Sequence, residues 1–104
     1  MAKIYVLSPR EGMDFSKAKI HGDLVEVGKG MNPTNFEHAS EIARDLVSEM
    51  GDTDMVMPMA TLSSSVIMAY IFKELATTDI FGGKVDVLIF NAKEEVYRKR
   101  TINL

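Results

Sequence analysis

Four short apolar runs, Ile4-Tyr5-Val6-Leu7, Leu24-Val25-Glu26-Val27, Asp54 to Met59 and Val85 to Phe90, constrain the fold most, because segments with helical character separate them. Strands that alternate with helices predict a mostly parallel sheet wound right-handedly, since parallel neighbours need a crossover between them. The first run is apolar without alternation, as expected of a central strand covered on both faces, and Ser8-Pro9 stops it.

Beyond Arg10, Asp14 or Ser16 caps a turn or two of helix through Ala18 and Ile20, ended by Gly22. The second strand closes at Gly28-Lys29-Gly30, followed by Met31-Asn32-Pro33. Thr34 and Glu37 have capping-box spacing, and Phe36, Ala39, Ile42, Ala43, Leu46, Val47 and Met50 recur at helical intervals. Together they predict an amphipathic helix from about Asn35 to Met50, with Glu37, Glu41, Arg44, Asp45 and Glu49 as its solvated face. The third strand leaves the sheet near Pro58, which has no N–H for a ladder. Leu62 to Leu75 is apolar nearly all round, so this helix is covered on two sides or forms a subunit interface, and a homodimer through the 62–75 helix is expected. A stop over Thr77 to Gly83, a fourth strand over Val85 to Phe90, a turn over Asn91 to Glu95 and a last strand over Val96 to Ile102 complete the chain, the last two strands as an antiparallel hairpin. The expected fold is one α/β domain over 1–104. It is a small Rossmann-like, flavodoxin-like three-layer sandwich with sheet order near 2-1-3-4-5 and an antiparallel C-terminal edge strand.

A 46% apolar and 26% charged composition belongs to a folding globular chain rather than a disordered one. The net charge of −3 argues against broad nucleic-acid or membrane-surface binding, so a basic site has to be local. With no cysteine there is no disulfide framework, thiolate metal site or cysteine nucleophile, which fits a reducing cytoplasm. Lys3 precedes only Ile4 to Leu7 before polar residues intervene, and no stretch reaches the roughly 18 apolar residues of a membrane span, so a soluble cytoplasmic protein is expected.

In an open α/β sheet, ligands sit beyond the carboxyl ends of the strands where strand order reverses, here between the first and third strands. The loops expected there offer Ser8, Arg10, Lys29, Asn32, Thr61, Ser63 and Ser64, with Asn91 on the far side. Arg10 can pair bidentately with a phosphate and Lys29 can add a point charge. Thr61, Ser63 and Ser64 add hydroxyls at the positive end of a helix whose first N–H groups lack intrahelical partners. Asn32 or Asn91 can read a base edge. The bland alternatives are a cap at Thr61 or Ser63, a plain turn at Gly28 and Gly30, and solvated Arg10 and Lys29.

Other chemistry finds little footing. Gly28-Lys29-Gly30 matches neither G-x-G-x-x-G nor the P-loop, which disfavours dinucleotides and NTP hydrolysis. His21 and His38 lack an i, i+4 partner, no metal or other cofactor is expected, and the serines at 63–65 lack the G-x-S-x-G elbow. Met55, Met57 and Met59 alternate onto one sheet face as core filling. Lys93, Arg98, Lys99 and Arg100 read as an edge protected against strand pairing.

Gly83 to Asn91 followed by Tyr97-Arg98-Lys99-Arg100-Thr101-Ile102, with Gly30-Met31-Asn32-Pro33 before the first long helix, resembles small uncharacterised proteins encoded by bacteriophages across most of the chain. The resemblance implies a viral origin and a small accessory role in the host cytoplasm, and it supplies no catalytic residues. The element order is also similar, at fold level, to Rossmann-like domains that bind cyclic oligonucleotides in bacterial defence. The leading expectation is a non-catalytic domain holding an anionic small molecule of the nucleotide or cyclic-nucleotide class at the ends of strands one and three. The alternatives are a homo-oligomeric or protein-interaction accessory protein, and a small nucleotide hydrolase whose base the sequence does not supply.

Overall fold

Right-handed crossovers dictate which face of the sheet each connection covers. The structure, a computed structural model, describes residues 1–78 and 80–104. Strands β1 (Lys3–Leu7), β2 (Asp23–Val27), β3 (Met55–Met57) and β4 (Lys84–Asn91) are parallel, and β5 (Val96–Asn103) runs antiparallel beside β4, giving the order β2-β1-β3-β4-β5. The steps from β2 to β3 and from β3 to β4 go the same way across the sheet. Their helices, α1 (Phe36–Glu49) and α2 (Leu62–Thr78), therefore fall on one face and pack on each other. The step from β1 to β2 goes backwards, so its short 3-10 helix, Ser16–His21, covers the opposite face.

The alternation of side chains along β1 separates two cores. Tyr5 and Leu7 point to the helices, where they meet Val56, Val87, Ala39, Ala43, Leu46, Ile67, Ile71 and Leu75. Ala39 and Ala43 are fully buried one turn apart, and their small side chains let α1 lie close to its neighbours. Ile4 and Val6 point the other way and join Met55, Met57 and Leu88 under Ala18 and Phe15. The methionine alternation thus fills a core. Cover on this second face is a single 3-10 helix, much thinner than the paired α-helices opposite.

Several local features differ from the sequence reading. Helix α1 is capped by Asn35, whose Oδ1 accepts from the His38 N–H at 3.1 Å, rather than by Thr34. Asn32 is the cause: its Oδ1 accepts from both the Thr34 N–H (3.0 Å) and the Thr34 hydroxyl (2.8 Å), closing an Asx turn that takes Thr34 out of capping range. Strand β3 is shorter than expected at both ends: the Asp54 carboxylate accepts from the Lys3 and Gly51 N–H groups, each at 2.8 Å, while beyond Met57 Pro58 has no N–H and the Met59 N–H donates to Ser64 Oγ. Helix α2 extends to Thr78 because nothing in 76–78 breaks it. The stop expected over 77–83 includes Asp79, which lies outside the described residues; its latter part is a tight turn with Phe81, Gly82 and Gly83 all at positive φ. The large apolar residues of α2, Ile67, Met68, Ile71 and Leu75, are buried within the chain's own fold, against α1 and the sheet. The rest of the helix is less covered: Leu62 is 68% exposed, Val66, Tyr70 and Phe72 are half-buried, and Ser65, Ala69 and Lys73 face outward. No described helix is long and apolar enough to cross a membrane.

Candidate functional site

The β1 and β3 carboxyl ends open into a cleft of about 580 Å³ lined by Ser8, Pro9, Arg10, Glu11, Lys29, Gly30, Met31, Pro33, Thr61, Leu62 and Ser63. The chain's change of direction at β1 creates it. One connection leaves the strand ends toward each face, and no crossover fills the gap between them.

Three loops form the walls, and each is fixed by bonds that the sequence specifies. Ser8 ends β1 at φ 49°, a left-handed conformation that strains a residue with a side chain, and its N–H donates to the Val27 carbonyl at 2.7 Å. That bond ties the β1 loop to the end of β2. The glycine loop is clamped more tightly. A Cβ on Gly28 would lie 2.8 Å from Ile67 Cδ1 and 3.3 Å from Ile42 Cδ1, so only glycine lets the backbone pass between the two helices. The Met31 side chain is buried in the helix-side core, and its carbonyl accepts from the Ser63 hydroxyl at 2.8 Å. The third wall is the start of α2. Thr61 caps it, its Oγ1 accepting from the Ser64 N–H at 3.1 Å and its carbonyl from the Ser65 N–H at 3.1 Å. The N–H groups of Leu62 and Ser63 have no partner among the described residues, and they carry the positive end of a 17-residue helix.

Electrostatically the cleft has two cations, Arg10 and Lys29, against one carboxylate, Glu11. Lys29 Nζ donates to Glu11 Oε1 at 3.0 Å, and that bond, with the Glu11 and then the Glu26 charge, raises the lysine pKa. Both side chains stand largely in water, 48% and 89% exposed, so the pair is weakly held and open to exchange for another anion. Arg10 is exposed and makes no ion pair with the described residues.

Of the eight residues singled out from the sequence, Ser8, Arg10, Lys29, Thr61 and Ser63 line this one cleft. Ser64 is fully buried beneath it, its Oγ accepting from the Met59 N–H at 2.8 Å, which holds the β3–α2 turn in shape. Asn32 is spent on the Asx turn. Asn91 is outside the cleft: its Oδ1 accepts from the Lys93 and Glu94 N–H groups and its Nδ2 donates to Glu94, closing the β4–β5 hairpin. Sequence reasoning missed Glu11, although its place next to Arg10 was a usable signal. It also missed that the Met31 carbonyl would claim the Ser63 proton. His21 and His38 take no part in the cleft, and no described group of His, Asp and Glu could hold a metal ion. Compared with family models, curated proteins and solved structures, the chain matches none.

Proposed function

We propose that the chain is a binding domain for a small anionic molecule of the nucleotide class, held at the carboxyl ends of β1 and β3. The observation that carries the reading is that residues from three separate loops, Arg10, Lys29 and Thr61 with Ser63, line one cleft at the start of α2. Each contributes something an anion needs. The guanidinium offers paired donors, the ammonium a charge released from Glu11, and the helix start its unpaired N–H groups and dipole.

A thermal-shift screen against inorganic phosphate and mono-, di- and cyclic nucleotides tests the reading. A ligand at 100 times its dissociation constant adds about 2.7 kcal/mol, or about 10–20 °C in Tm for a domain of this size. The shift should vanish in Arg10→Gln. A screen in which no anion raises Tm would overturn the proposal.

A further inference from the structure

A second cleft, of about 710 Å³, lies on the thinly covered face of the sheet, between the arm that carries Phe15 and the ends of β3 and β4. Its walls are mainly apolar, formed by Met13, Phe15, Met59, Ile89, Phe90 and Tyr97, with Asp14, Ser16 and Lys17 also contributing. Phe90 and Tyr97 form a tilted pair with centroids 5.1 Å apart, yet Met13, Ile89 and Phe90 each remain 46% exposed. Flexible thioethers beside an aromatic pair in a concavity of this size make a surface suited to a flat apolar group.

The two clefts are lined by adjoining residues of the same two loops. Ala60 lines the apolar one and Thr61 the cationic one, and bonded neighbours are only about 3.8 Å apart at Cα. On the opposite rim Glu11 and Met13 belong to different clefts with only Gly12 between them. The same two loops therefore present cations and helix N–H groups on one side of the sheet edge and aromatic walls on the other.

We infer that the ligand carries an aromatic ring joined to its anionic group by a short link, with the anion in the cleft of Arg10 and Thr61 and the ring against Tyr97 and Phe90. This inference rests on the anion-binding reading and adds where the ring of such a molecule lies, so that a ring-bearing phosphate is preferred over a bare phosphate or an aliphatic acid. The ring accounts for the apolar concavity that the anion alone leaves unused.

Calorimetric titration of the full chain with inorganic phosphate, phenyl phosphate, adenosine and adenosine monophosphate separates the two claims. At least one ring-bearing phosphate should bind about tenfold or more tightly than inorganic phosphate, the gain expected of a ring stacked on an aromatic side chain. Tyr97→Ala and, independently, Met13→Gln on the exposed arm should remove that gain and leave the affinity for inorganic phosphate unchanged. Equal affinities for phosphate and both ring-bearing phosphates, or a gain that survives both substitutions, would overturn the ring assignment while the anion site stands. Inorganic phosphate that fails to bind, or binding indifferent to Arg10→Gln, would remove the anion site itself. Sedimentation showing a dimer that Met13→Gln dissociates would also overturn the ring assignment, because a second copy would then occupy the apolar cleft.

Discussion

Replacing Gly28 with alanine, beside the same change at Gly30, isolates the close approach that builds the glycine wall of the cleft. Both residues sit in the left-handed region, at φ 66° and 73°. An L-residue there costs about 1–2 kcal/mol, a loss partly offset because alanine also restricts the unfolded chain. Their surroundings differ. Nothing lies within 4 Å of a Cβ on Gly30, whereas a Cβ on Gly28 meets Ile67 Cδ1 at 2.8 Å and Ile42 Cδ1 at 3.3 Å. Ile67 is fully buried, so its end cannot swing out to water, and overpacking of this kind adds about 1–3 kcal/mol. Gly30→Ala should thus lose about 1 kcal/mol and Gly28→Ala about 2–4 kcal/mol. With about 4–8 °C of Tm per kcal/mol, the two variants should differ by at least about 4 °C. Denaturant unfolding at constant m-value gives the free energies directly. Equal losses would mean that the loop does not pass between the helices as described, and the clamped wall would be refuted.

Other consequences follow from single side chains. Thr61→Asp keeps a good cap and adds a charge that the helix dipole favours, so stability should stay within about 0.5 kcal/mol or rise. The same carboxylate repels an anion, and a variant that still binds phosphate as the parent does would place the site elsewhere. The Tyr5 hydroxyl is buried without a partner among the described residues, and burial, then Asp54 and Glu49, push its pKa above 10. Tyr5→Phe should therefore raise stability by about 1 kcal/mol in a chemical melt, and a loss of that size would show that the hydroxyl is satisfied. Raised tyrosine values, here Tyr5 and Tyr97, leave stability intact below about pH 10 and erode it above, since the unfolded chain ionises first. The Tyr5→Phe curve should fall less steeply in that alkaline range. Ser64→Ala strands the Met59 N–H that its hydroxyl accepts and should cost about 1–3 kcal/mol by the same measurement.

What the sequence revealed follows from the range of the forces involved. Strand order was legible because alternation and crossover handedness leave few topologies, and the same rule brought five of the eight chosen residues to one cleft. Local hydrogen-bond competition was not legible. Thr34 and Asn35 are both good caps, and the choice between them depended on Asn32 folding back onto Thr34. Asn91 was assigned to a ligand for its position at a strand end, but the hairpin turn had three uses for the same side chain. The apolarity of α2 was visible in the sequence, which left open cover on two sides or a subunit interface; that α1 shares its face follows from the path of the whole chain. The apolar cleft escaped notice for a related reason: alternation identified Met59 as a face residue without showing how little the arm through Phe15 would cover.

An anion seated at the start of α2 between Arg10 and Lys29 is the central requirement of the proposed binding role. Backbone nitrogen–proton correlation spectra recorded during titration with pyrophosphate test this residue by residue. The amides of Leu62, Ser63 and Gly30 should shift together and saturate with one dissociation constant, and the response should disappear when Arg10 and Lys29 are both changed to glutamine. Shifts at these amides no larger than those at Lys99, on the opposite edge strand, would contradict it.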